Sequence, residues 1–163
     1  MELAGSNGDR FELTILGYQF PYSSEDKYDA NWLVVRTAAT IAGGTWSSVD
    51  PSLLTWEVEE LISWLESSGH GMEVSKLLDF MEPNVSFEML NCSAQTVTLK
   101  VVMQLESRPP WQSWTRPGEC PEGPVLNCSR EELFAWAADL RNQLSKFPNR
   151  KPVGSEQSPI TND

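Results

Sequence analysis

The chain has 163 residues, 40% of them hydrophobic, with seven Trp and six Phe, and a formal net charge of −11. That is one domain's worth of chain with enough apolar mass for a core, which excludes a disordered polyanion. Residues 1–90 hold fifteen Asp/Glu against four Lys/Arg, whereas residues 91–163 hold eight of each, so the whole excess lies in the first part. A field of this sign repels nucleic-acid phosphates and anionic membrane and attracts basic proteins, although ordinary solubility is the plainer reason for an acidic chain.

No apolar run reaches the roughly 18 residues a membrane helix needs, and Met1–Ser6 lacks the basic and apolar regions of a signal peptide. The expectation is a cytoplasmic protein. Three cysteines, Cys92, Cys120 and Cys128, then read as free thiols, with a Cys120–Cys128 bridge left open.

In chain order, the first ten residues are polar and read as frayed. Phe11 to Phe20 alternates apolar and polar side chains, which predicts a strand ended by Pro21. Residues 22–30 form an acidic loop. Asn31 to Ile41 is a second strand, Gly43-Gly44 a hairpin turn, and Thr45 to Val49 the returning strand, broken by Asp50-Pro51. Thr55 is placed to cap a helix with Glu57 in its first turn, and Val58, Leu61, Ile62 and Leu65 make its apolar stripe. Gly69 and Gly71 stop it, and Glu59, Glu60 and Glu66 occupy its outer face.

Val85 to Leu90 and Thr96 to Glu106 alternate as a strand pair about Asn91-Cys92-Ser93. Residues 107–124 form a proline-rich connection carrying Trp111 and Trp114, which either fold it over the sheet or present binding anchors. Val125 and Leu126 suit a short edge strand. Ser129 and Glu132 make a capping box, and Leu133, Trp136, Ala137, Leu140, Leu144 and Phe147 stripe a second helix that Pro148 ends. The order implies an α+β fold: one antiparallel sheet of five to six strands with two amphipathic helices on one face. A single domain then covers residues 1–147, and residues 148–163 are a disordered polar tail.

Chemistry finds little to build on. A Ser or Cys nucleophile needs a base, and the one histidine, His70, sits in a Ser-Ser-Gly-His-Gly turn. The cysteines, 28 and 8 residues apart, lack zinc-ligand spacing, and no glycine-rich phosphate loop is present. Neither metal nor cofactor is expected. Glu57, Glu59 and Glu60 suit a solvated helix face as well as an acid/base pair. Lys and Arg are too few and scattered for nucleic-acid binding.

Five segments act together as a signature: Leu16–Pro21 (LGYQFP), Tyr28–Arg36 (YDANWLVVR), Asp50–Leu61 with Trp64-Leu65, Glu82–Glu88 (EPNVSFE) and Leu105–Trp111 (LESRPPW). Their order and spacing resemble those of the WapI-type immunity proteins over about residues 11–147. The resemblance implies a non-enzymatic bacterial protein that binds and blocks a cognate polymorphic toxin, in the eponymous pair a tRNA-cleaving nuclease. A nuclease cleft is basic, so the candidate partner-binding residues are Glu25, Asp26 and Asp29 of the loop with Glu59, Glu60 and Glu66 of the helix. The competing readings are a small hydrolase using paired carboxylates and a regulatory or scaffold module unrelated to toxins.

Overall fold

The computed structural model describes residues 1–22, 25–113 and 122–151. Its elements are β1 (Glu2–Ala4), β2 (Arg10–Tyr18), β3 (Trp32–Ile41), β4 (Gly44–Leu54), α1 (Thr55–Gly69), β5 (Leu77–Leu78), β6 (Val85–Cys92), β7 (Thr96–Met103), a 3-10 turn (Leu105–Ser107), β8 (Val125–Ser129) and α2 (Arg130–Leu144). The α+β class is as expected, but the single sheet is not. There are two four-stranded antiparallel sheets, β1-β2-β3-β4 and β5-β6-β7-β8. The physical reason is α1. It leaves directly from the end of β4, so the chain returns as a new meander and not as a fifth strand beside β4. The sheets meet where β8 passes β1: the Asp9 carboxylate accepts the Val125 N–H at 2.8 Å and the Ser6 hydroxyl donates to Asn127 at 2.9 Å.

Two short strands, β1 and β5, carry no alternation long enough to read. β1 pairs Leu3 with Phe11 in a segment expected to fray. β4 also runs straight through Asp50-Pro51, a break in the sequence reading. It is an edge strand with an irregular register, Leu33 facing Leu53 and Val34 facing Pro51, so Ser52 is an extra residue. Edges and bulges are where a sheet tolerates a residue with no N–H. The hairpin at Gly43-Gly44 forms as read. Gly44 adopts φ +144°, and a side chain there would press within 3.1 Å of the Trp111 ring.

One core joins both sheets and both helices. Phe87 of β6 is its hub, with Phe11 at 5.9 Å, Trp136 at 5.7 Å, Phe80 at 6.2 Å and Trp64 at 6.4 Å between ring centroids. The pairs with Phe11, Trp136 and Phe80 are edge-to-face, and such pairs contribute about 0.5–1.5 kcal/mol each beyond area burial. Trp111 rests edge-on against Trp46 at 5.3 Å, closing the connection over the β3–β4 hairpin; Trp114 lies outside the described residues.

The ends of α1 fix its direction. The cap is Leu54 and not Thr55, whose hydroxyl donates to Asn31 instead. At the other end Met72 N–H bonds Ser67 O and Gly71 N–H bonds Ser68 O, with Gly71 at φ +71°. This crossed pair satisfies the last carbonyls and needs glycine at the left-handed position. α2 starts as read: Ser129 and Glu132 exchange bonds at 3.2 and 2.7 Å.

Candidate partner-binding surface

The six carboxylates nominated from the sequence fall into three settings. Asp26 in the β2–β3 loop turns back on its own chain, accepting the N–H groups of Tyr28 at 2.7 Å and Asp29 at 3.0 Å. It shapes the loop, as Asx turns do. Glu25 and Asp29 are exposed. Tyr28 meets Trp56 edge-on at 5.7 Å and the Lys27 ammonium lies 4.7 Å over the same ring, so the loop packs against the first turn of α1.

Buried Asn31 holds this arrangement together. Its amide donates to Lys27 O at 2.8 Å and Arg150 O at 2.9 Å, while its oxygen accepts from Thr55 and from Arg150 N–H at 2.7 Å. The Arg150 guanidinium donates to Phe20 O at 3.0 Å and stacks 3.3 Å over Tyr18, whose hydroxyl donates to Pro148 O. Burial pushes the Tyr18 hydroxyl pKa up, against a smaller downward pull from Arg150. Residues 148–150, assigned to the tail from sequence, are therefore tied to the loop; residues 152–163 lie outside the described part. The consequence is electrostatic. Lys27 and Arg150 share this corner with the acidic loop of Glu25, Asp26 and Asp29.

The α1 carboxylates separate as well. Glu66 forms an ion pair with Arg141 of α2 at 2.8 Å. Glu59 lines a shallow cleft with Arg141 and Pro148, on the α2 side. Glu60 faces the other way, into a groove of about 510 Å³ between α1 and the strap that leads into β5, with Ser63, Trp64, Val74, Leu77 and Asp79.

Glu57, grouped from sequence with the solvated face, is 6% exposed. One carboxylate oxygen accepts Leu54 N–H at 2.8 Å and the other Met81 N–H at 2.6 Å. It thus closes the helix start and pins the turn before β6. Burial pushes its pKa up, the two N–H bonds pull it down, and the nearby charges of Glu60 and Glu82 raise it further; the net direction is up. That meets one criterion for an acid/base residue. Yet both its oxygens serve backbone amides, and it lines none of the grooves described.

The region missed by sequence reasoning is the strap with its continuation. Asp79 and Glu82 join Glu60 there, beside exposed Leu77 and Met81. The available signal was composition: residues 57–90 carry eight carboxylates and a single cation, Lys76.

The remaining candidates have structural settings. His70 is the last cap of α1, exposed, its ring 4.8 Å from Phe134. Cys128 is free and buried, its thiol pKa pushed up to about 12 by burial and by Glu132; Cys120 lies outside the described residues. Cys92 is free and exposed. Among the described residues no three His, Cys, Asp or Glu side chains gather as metal ligands, and no helix is long and apolar enough to cross a membrane.

The family model for the immunity protein WapI-like family matches residues 2–148 of the 163. The chain belongs to the WapI-like immunity protein family. No curated protein matches it. Membership in the WapI-like immunity family supports an immunity function and implies a toxin partner.

Proposed function

We propose that this protein binds a cognate bacterial toxin domain in the cytoplasm and neutralises it by covering a basic working surface, as a nuclease toxin would present. The observation that carries the reading is the family match across residues 2–148. Charge supplies the partner's chemistry: a body of net −11 associates fastest with a cationic surface and competes there with substrate phosphates. The carboxylates offered are those of the loop, Glu25, Asp26 and Asp29, and of α1, Glu59, Glu60 and Glu66. Protection then needs no reaction, only a complex that outlasts the toxin's encounter with its substrate.

The carboxylate-hydrolase alternative would need Glu57 as its perturbed acid, and Glu57 is already committed to Leu54 and Met81. The test is co-expression with a candidate cognate toxin domain from the same genome. The expected result is growth with this protein and arrest without it, and a stable complex of the two purified proteins. Arrest in its presence, or no complex at micromolar concentrations, would overturn the reading.

A further inference from the structure

The carboxylates of this protein differ in what they already hold. Glu2 and Glu12 pair with Arg10 and Arg36, Glu66 with Arg141, and Asp9, Asp26, Glu57 and Glu132 accept backbone N–H groups. The β2–β3 loop shares its corner with Lys27 and Arg150. Carboxylates with no ion pair among the described residues collect elsewhere, along the groove between α1 and the strap, whose one cation is Lys76. Glu60 and Asp79 line it, with Leu77 46% exposed at its edge. Met81, 54% exposed, and Glu82 continue the surface past Asp79. None of the groove-lining residues is cationic. Glu60 and Glu82 both act on the same buried carboxyl of Glu57, which places their fields together.

The surface is also shaped and stiff. The Trp64 indole N–H donates to Ser75 O at 2.9 Å, fastening the strap to α1 across the groove. The Met81 N–H held by Glu57 fastens its far end. A wall of this kind loses little freedom on binding. Two exposed aliphatic side chains among three carboxylates give an apolar centre with a charged rim, the anatomy of a protein interface.

We infer that the groove between α1 and the strap, with Glu60, Asp79 and Glu82 around Leu77 and Met81, is where a Lys- or Arg-bearing segment of the toxin docks. This rests on the immunity reading above and narrows its surface from the six carboxylates to this groove. Leu77 and Met81 receive the apolar part of that segment, and the carboxylates take its cations. The occupant is fixed by charge: a segment of the same sign would meet Glu60 and Asp79 in the groove and Glu82 beyond it, against the one cation of the strap, Lys76.

The test uses the full chain and the toxin domain that it protects against in co-expression. The triple variant Glu60→Lys, Asp79→Lys, Glu82→Lys is expected to bind at least 100-fold more weakly and to lose protection. Glu131→Lys, on the exposed face of α2, is expected to stay within threefold of the wild type. The groove variant should fold, because its new cations relieve the like charge on Glu57; a thermal melt checks this. Hydrogen exchange of the wild-type complex gives a readout free of substitution, with protection expected over residues 74–82. Undiminished binding by the groove variant, or an exchange footprint confined to the loop, overturns the groove while leaving the immunity reading in place. A wild-type protein that neither binds nor protects overturns both.

Discussion

The β2–β3 loop and the α1–strap groove are both rich in carboxylates, and they are opposites physically. The loop's acids work inward or stand beside cations: Asp26 caps two amides, and Arg150 reaches from the far end of the chain to Phe20 and Asn31. The groove's acids have no such occupation, and its frame is fastened from beneath by Trp64 and Glu57. A carboxylate count describes both regions alike. What separates them is the list of partners each side chain already has, because a field that reaches a second protein is what remains after internal pairing.

The contrast is sharpened most by removing the loop's support. Asn31→Ala deletes a buried amide with four hydrogen bonds and strands Arg150 N–H and two carbonyls. Unpaired buried polar groups cost about 1–3 kcal/mol each, so a loss of about 3–4 kcal/mol is expected by denaturant titration. Faster hydrogen exchange should appear in residues 26–31 and 148–150 but not in 74–82. Equal loosening of the groove would break the proposed independence of the two regions.

Glu57→Ala comes next, with about 2–3 kcal/mol expected from two orphaned N–H groups at Leu54 and Met81. It also carries a pH signature. The folded pKa of Glu57 lies above its ordinary value, so its contribution is greatest at low pH, where the carboxyl is protonated in both states. That contribution falls as pH rises through the raised folded value. The stability gap between wild type and Glu57→Gln should therefore narrow from pH 4 to pH 7. A gap that widens would show that the two N–H bonds outweigh burial. Smallest is Glu66→Gln, which breaks an exposed pair with Arg141. The expected change is under about 1 kcal/mol, shrinking further in salt.

Legibility from sequence followed the range of the interaction. The Gly43-Gly44 hairpin and the Ser129–Glu132 box are settled within a few residues, and both formed as read. The amphipathic stripes of α1 and α2 bury the residues their spacing selects, from Val58 and Leu61 to Leu133 and Trp136. The division into two sheets was not legible, since β1 and β5 are three and two residues long and show no alternation. Nor was the role of Glu57, which depends on Met81 returning to it 24 residues later. Among the nominated acids, the partners that occupy Asp26 and Glu66 come from their own turn and from α2, which composition does not show.

The central claim, that immunity comes from an unneutralised carboxylate surface meeting a cationic one, is tested most directly by ionic strength. The association rate constant with the toxin domain, measured by stopped flow from about 20 mM to 500 mM salt, should fall at least tenfold for the wild type. For the Glu60, Asp79 and Glu82 charge-reversal variant it should be low and nearly flat. A wild-type rate that does not change across that range would contradict the account.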